Sequence, residues 1–300
     1  MKIEDWPSSK YLSPLYREIR ERGLESNIAE LEAFGFTMIE NFLTQDEIEH
    51  TKSTILRVAE RRLGRTLDIS NTENLEGRIS GTPLLTRLVF EDPWFEELML
   101  RTEPLLIMRY LMGESLKLNS ASSHIKAGGA DGLYLHADIS NGVPSPLPPY
   151  SCFGNLTYTL TDYTLEGGAL AMVPGSHRWC RHPSAPEAIM ARGKESPLAV
   201  PLTPKAGAVV IWHGNTWHGA FARTVPGIRM NLVYAFCRQF IETQEAIKGS
   251  VPEEMWNRHK DDPIFAGLMG EYSFHGWKQD SDFLKINDPR TRQAGQDWHA

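Results

Sequence analysis

Cysteine is scarce in this chain. Cys152, Cys180 and Cys237 are the three in 300 residues, far apart and without a C-x-x-C pair. An odd number at such spacing argues against a disulfide framework and fits reduced thiols, so a cytoplasmic location is expected. Positive charge is also short: 31 Lys and Arg against 38 Asp and Glu leave a net charge of −7, which argues against a general nucleic-acid binder. Long apolar runs are missing. None approaches the ~20 residues of a membrane span, and the opening MKIEDWPSSK lacks the apolar stretch of a secretory leader. What remains, 41% hydrophobic and 23% charged, is the composition of an ordinary globular protein that can bury a full core. No internal repeat or low-complexity linker interrupts it. One domain over residues 1–300 is the expectation, with a helical part to about 114, a β core over about 115–240 and an extension over about 241–300.

The N-terminal third reads as helical. GFTMIENFL looks like a short strand, and Thr44 with Glu47 three residues later forms a capping-box signal. Ile48, Ile55, Leu56, Ala59 and Leu63 then share one helical face, with Gly64 at the expected stop. Asp92-Pro93 opens a second helix, and a third runs from about Glu103 to Met112. From Ser115 the pattern changes to short strands with Gly- and Pro-bearing turns: SLKLNSASSHIKAG, FGNLTYTLTDYT, ALAMV, GAVVIW and RMNLVYAF. Leu156, Tyr158 and Leu160 fall on one side of their strand. Strands following strands predict a sandwich or barrel, not alternating βαβ units. PSPLPPY at 144–150 reads as a loop, and the residues after about Glu242 as partly helical.

Chemistry enters at GLYLHAD. On a strand, His136 and Asp138 point to one side while Ala137 points to the other, so both can reach one metal ion. A third ligand is available about eighty residues on, at His213 or His218. Two imidazoles and one carboxylate on one face of an octahedral ion form the facial triad of non-haem iron(II) oxygenases, although zinc accepts the same donors. Arg229 opens an apolar strand, where a buried guanidinium needs an anionic partner: a dicarboxylate ligand, or a distant Asp or Glu.

Four stretches together resemble the phytanoyl-CoA dioxygenase family of Fe(II)/2-oxoglutarate-dependent oxygenases. They are LEAFGFTMIENFLTQDEI, KAGGADGLYLHAD, EGGALAMVPGSH and HGAFARTVPGIR, within residues 31–236. The resemblance implies a double-stranded β-helix, a cupin-like jelly roll with N-terminal helices packed on one sheet. It selects His218, eleven residues before Arg229, as the partner of His136 and Asp138 around Fe(II), and sets Arg229 against the distal carboxylate of 2-oxoglutarate, with O2 as the second co-substrate. His213 is then a strand-end residue and His177 a structural one.

Two positions depart from the family pattern. Ala220 stands where a hydroxyl residue often helps hold 2-oxoglutarate, so Lys126, Thr157 and Tyr158 become further candidates for that task. Arg223 stands where an asparagine is common and is a candidate substrate contact, as is Trp217. Trp179, Trp217 and Trp277, the 144–150 loop, the 181–200 segment, the N-terminal helices and the C-terminal tail are the expected walls of a pocket for a small metabolite. The carboxylate at Asp138 disfavours halogenation and leaves hydroxylation of a C–H bond as the leading outcome. Desaturation, epimerisation or ring formation use the same ligands. A cupin-like metalloenzyme without 2-oxoglutarate and an inactive binding module are the readings from other classes; oligomeric state is not legible.

Overall fold

The structure is a computed structural model that describes residues 13–67, 84–114, 116–129, 131–138 and 143–271. Helices α1 (Pro14–Glu21) and α2 (Glu25–Phe34) lead into strand β1 (Phe36–Ile39) and helix α3 (Gln45–Leu63). The capping box is formed: the Thr44 hydroxyl accepts from the Glu47 N–H, and the Glu47 carboxylate accepts from the Thr44 N–H. Ile48, Ile55 and Ala59 are buried and Leu56 packs beside them. Leu63 differs from the expectation and is exposed, as the last residue of α3 before the left-handed Gly64 cap. After the two-residue strand β2 (Leu84–Leu85) come α4 (Pro93–Met99), capped by Asp92, and α5 (Thr102–Met112).

Eight further strands follow: β3 (Leu116–Ala127), β4 (Leu133–His136), β5 (Phe153–Thr159), β6 (Leu170–Met172), β7 (Val200–Leu202), β8 (Val209–His213), β9 (His218–Ala220) and β10 (Ile228–Arg238). They form two antiparallel sheets, one in the order β1-β8-β5-β10-β3-β2 and one in the order β4-β9-β6-β7. This is the expected jelly roll, with four core strands in each sheet and β1 and β2 added at the edges of the larger. Two short helices, α6 (Glu253–Arg258) and α7 (Pro263–Leu268), end the described chain. No helix among the described residues is long and apolar enough to cross a membrane.

The two-residue period of the larger sheet divides its faces. On β10, Met230, Leu232, Tyr234 and Phe236 join Leu156, Tyr158 and Leu160 under the helices. Arg229, Asn231, Val233 and Ala235 alternate with them and face the interior between the sheets. Tyr158 and Tyr234 reach through the helical layer to donate hydrogen bonds to the carbonyls of Leu98 and Phe95. Tyr158 is therefore part of the helix–sheet core and is not a co-substrate ligand, because its strand position turns it away from the cavity that Thr157 faces.

Two polar clusters tie this frame. Glu96 on α4 is buried and takes Arg258 and His259 on its carboxylate, which fastens α6 to the helical layer. Glu96→Ala is expected to lower unfolding stability by about 1.5–3 kcal/mol, the scale for losing hydrogen bonds to a charged group, read as a shift of the urea midpoint. At the end of β8, His213 accepts from the Asn215 N–H and lies 5.4 Å from the ring of His177. Both are buried, and Gly35, at φ +84°, packs so close to the His177 ring and the Thr216 hydroxyl that a Cβ there would overlap them. Burial, then His177 and Arg238, pushes His213 down to about 3.

The unfolded chain holds this histidine near 6.5, so below that pH the unfolded state binds the extra proton. Stability is expected to fall between about pH 6.5 and 3, by up to about 1.4 kcal/mol per unit for this one site. His213→Gln should flatten the slope in urea titrations at pH 7, 6 and 5. An unchanged slope would assign the acid sensitivity to other groups.

Candidate active site

The hairpin-like pairing of β4 and β9 brings the first two chemical groups together. His136 and His218 are direct cross-strand partners, their rings 4.3 Å apart between centroids. Gly219 makes the approach possible, since a Cβ there would lie 2.3 Å from the Leu133 carbonyl. Asp138 follows the end of β4, its N–H bonded to the Gly214 carbonyl. Its carboxylate stands 3.6 Å from His136 Nε2 and 3.4 Å from His218 Nε2. Leu135 and Ala137 alternate to the opposite side, among Leu147, Met190 and Trp217. One potential ligand atom from each of His136, Asp138 and His218 lies within 4.8 Å of the others.

Second contacts orient all three. His136 Nδ1 lies 3.0 Å from the Tyr134 carbonyl and His218 Nδ1 2.9 Å from the Thr216 carbonyl. A carbonyl only accepts, so each Nδ1 is assigned the proton and each Nε2 presents its lone pair toward Asp138. Burial pushes His218 down to about 4 and keeps it neutral, with Asp138 opposing. The Asn155 amide donates to Asp138 Oδ2 and fixes the carboxylate. Asn155 was not anticipated from sequence, because nothing in FGNLTYT marks the one interior amide that faces the triad.

A cavity of about 600 Å³ opens over these groups, between the sheets. Arg229 lies in it, buried, with its guanidinium 4.9 Å from the Tyr163 ring and one N–H on the Gly168 carbonyl. Among the described residues no carboxylate pairs with it, so the distant Asp or Glu weighed from sequence is not found. Three residues lining this cavity each carry a buried polar atom with no hydrogen-bond partner: Arg229 Nε, Thr157 Oγ1 and Trp212 Nε1. Trp212, whose ring is 5.1 Å from His218, is a second residue that sequence reasoning missed.

Several expected contacts lie elsewhere. Lys126 donates to the Phe221 carbonyl, and burial with Arg229 beside it pushes it down to about 7. Arg223 is not on the cavity wall: it is buried and gives its guanidinium to the carbonyls of Gly227, Gly167 and Pro226, closing the turn before β10. Trp217 is fully buried, donates to the Arg181 carbonyl and packs edge-on to Trp179. The 144–150 loop and the 181–200 segment send Leu147 and Met190 to the face of β4 opposite His136, so neither walls the cavity. Nor do the N-terminal helices, which cover the outer face of the larger sheet. Among the described residues the outer wall is Leu84, Thr86 and Arg87 with Gln244, Glu245 and Ala246; the C-terminal tail from residue 272 lies outside them. Trp277 lies outside the described residues.

Comparison with known proteins adds the decisive observation. The family model for phytanoyl-CoA dioxygenase (PhyH) matches residues 31–231, more than half of the chain. The chain belongs to the phytanoyl-CoA dioxygenase family. This is a family of Fe(II)/2-oxoglutarate-dependent dioxygenases, and the chain is an enzyme of that class. The PhyH core of this chain is similar to that of HygX from Streptomyces hygroscopicus, solved with nickel and 2-oxoglutarate bound, at a TM-score of 0.59 and 17% identity, covering 77% of this chain and 92% of that one. Dioxygenase af480 of Aspergillus fumigatus is 29% identical over 128 residues, which are 42% of this chain and 39% of that protein. Ectoine dioxygenase of Nocardia farcinica is 22% identical over 231 residues, 67% of this chain and 74% of its own length. Two imidazoles and a carboxylate are the donor set that suits the family's Fe(II), so the triad fits that ion.

Proposed function

We propose that the protein oxidises a C–H bond of a small-molecule metabolite, most simply by hydroxylation, while 2-oxoglutarate is decarboxylated to succinate. In this reading His136, Asp138 and His218 hold Fe(II), and Arg229 takes the distal carboxylate of 2-oxoglutarate. The observation that carries it is a buried arginine without a carboxylate partner among the described residues, on the wall of the cavity that the triad also lines, beside Thr157 and Trp212; Arg229 Nε, Thr157 Oγ1 and Trp212 Nε1 have no hydrogen-bond partner. Orphaned buried donors are costly unless a ligand satisfies them, and an oxygen-rich dianion is the ligand this set suits. Thr157 and Trp212 then supply the hydrogen bonds that Ala220 cannot.

Bound Fe(II) supplies the activation of dioxygen and the oxidising power that 2-oxoglutarate decarboxylation pays for. The chain's own residues do the rest. The backbone carbonyls of Tyr134 and Thr216 hold both imidazoles in the Nδ1–H tautomer, and Asn155 keeps Asp138 turned between them. Arg229, pinned by the Gly168 carbonyl, offers its remaining N–H groups as a fork for a carboxylate. The aromatic and aliphatic lining around Trp212, Phe153 and Leu170 restricts water near the reacting carbon. The unpaired thiols Cys152, Cys180 and Cys237 support the cytoplasm as the place of action.

The test is an anaerobic titration of metal-free protein with Fe(II) and then 2-oxoglutarate. A visible metal-to-ligand charge-transfer band is expected on the second addition. Iron retention without a band would move the reading to a cupin-like metalloenzyme that does not use 2-oxoglutarate.

A further inference from the structure

The end of the cavity away from Arg229 carries a carboxylate that the proposed reaction does not use. Glu245 is 8% exposed and lines the cavity beside Gln244 and Ala246. It accepts from the N–H of Arg87 on Oε1 and from the N–H of Ala121 on Oε2. Two backbone donors leave further lone pairs open. The charged groups closest in effect are Arg87 and Arg62, and neither guanidinium pairs with it. Arg62 is taken by Glu91, while Arg87 donates to the Ala246 carbonyl and lies 4.9 Å from the Phe90 ring. Among the described residues no cation lies within ion-pair distance of Glu245; burial pushes its pKa up, opposed by the N–H groups of Arg87 and Ala121 and by the more distant Arg87 and Arg62 guanidinium groups.

The position is set by strand register. Asn155, which holds Asp138, pairs with Ala235, and Ala235 pairs with Ser120, the neighbour of the Ala121 N–H that Glu245 accepts. Two strand spacings separate Asn155 from that edge, roughly 10 Å. Between them the lining is largely apolar or small: Phe153, Val233, Ala235 and Ser122. Asn119 keeps the far end in place, accepting from the Gln244 N–H and donating to the Gln244 side-chain oxygen.

We infer that Glu245 is the recognition site for a protonated amine, so that the substrate of the proposed reaction is an organic ammonium compound. Its apolar body lies across the two strand spacings, about 10 Å, that separate Asn155 from the edge where Glu245 is held. This rests on the proposed site for its link to turnover, but the binding preference itself is independent of iron. A neutral alcohol of equal length lacks the charge that completes the ion pair and therefore binds less tightly.

The experiment compares n-hexylammonium with 1-hexanol at pH 7 by calorimetry, using the full chain without metal, in wild type, Glu245→Gln and Gln244→Glu. Wild type is expected to bind the ammonium at least ten-fold more tightly than the alcohol, Glu245→Gln to lose that preference, and Gln244→Glu to widen it. Equal binding of both probes by wild type overturns the inference, as does a preference that survives in Glu245→Gln. Should Glu245→Gln not fold, the wild-type comparison and Gln244→Glu decide: a Gln244→Glu preference no wider than wild type counts against it. The Fe(II) and 2-oxoglutarate titration is read separately, so a missing charge-transfer band with an intact ammonium preference would overturn the oxygenase site and leave the amine subsite standing.

Discussion

Asp138→Ala is expected to lose Fe(II) during gel filtration and to show no charge-transfer band with 2-oxoglutarate. The carboxylate is the one anionic group of the triad, standing 3.6 and 3.4 Å from the two Nε2 atoms. Without it two neutral imidazoles face a dication with no charge compensation. Asn155→Ala is the informative contrast. It leaves all three donors in place and removes the amide that orients Asp138, so iron affinity should fall by about 10- to 100-fold, the usual cost of losing an outer partner. Binding read by an iron chelator competition separates the two variants. An Asp138→Ala protein that retains iron as well as wild type would remove the triad from the proposal.

Arg229→Ala should weaken 2-oxoglutarate binding by roughly 30- to 5,000-fold, the range for truncating one partner of a buried charge pair at about 2–5 kcal/mol. Iron affinity should stay as it is, because Arg229 is held by the Gly168 carbonyl and the Tyr163 ring and touches no member of the triad. Arg229→Lys should recover part of the loss and not all of it, since an ammonium is a point charge without the planar fork. The measurement is the 2-oxoglutarate dependence of the charge-transfer band. An unchanged dissociation constant in Arg229→Ala would place the co-substrate elsewhere.

The parts of this molecule that were legible from sequence share a physical cause: they depend on local periodicity or on spacing along one strand. The Thr44–Glu47 capping box, the helix start at Asp92-Pro93 and the alternation of Leu156, Tyr158 and Leu160 are of this kind. So is the common direction of His136 and Asp138. The joining of His136 to His218 is a cross-strand fact, reached beforehand through family resemblance and visible in structure as their direct pairing.

What escaped was set by packing. Tyr158 and Thr157 are adjacent, and one position of strand phase sends the first under the helices and the second into the cavity. Arg223 reads as a substrate contact in the sequence because its three carbonyl partners belong to a turn and to Gly167, far back in the chain. Trp217 and Trp212 are five residues apart with the same composition-level signal, yet one is sealed beneath Arg181 and the other lines the site. The β2 and Gln244–Ala246 wall has no local signature at all, because it arises where two remote segments meet the edge of β3.

That wall has a consequence for how the enzyme can change. The metal-facing donors sit on β4, just beyond it and on β9, and the guanidinium on β10; sheet pairing locks His136, His218 and Arg229, and the Gly214 carbonyl and Asn155 amide hold Asp138. The outer wall is attached to the same scaffold through the short β2–β3 pairing and through Glu245 and Asn119. Residues 84, 86, 244 and 246 can therefore be randomised as a set while the oxidative centre and the helix-backed sheet stay constant. Libraries built there should yield altered substrate scope at little cost in melting temperature, whereas the same diversity placed on β5 or β10 would be filtered out by misfolding.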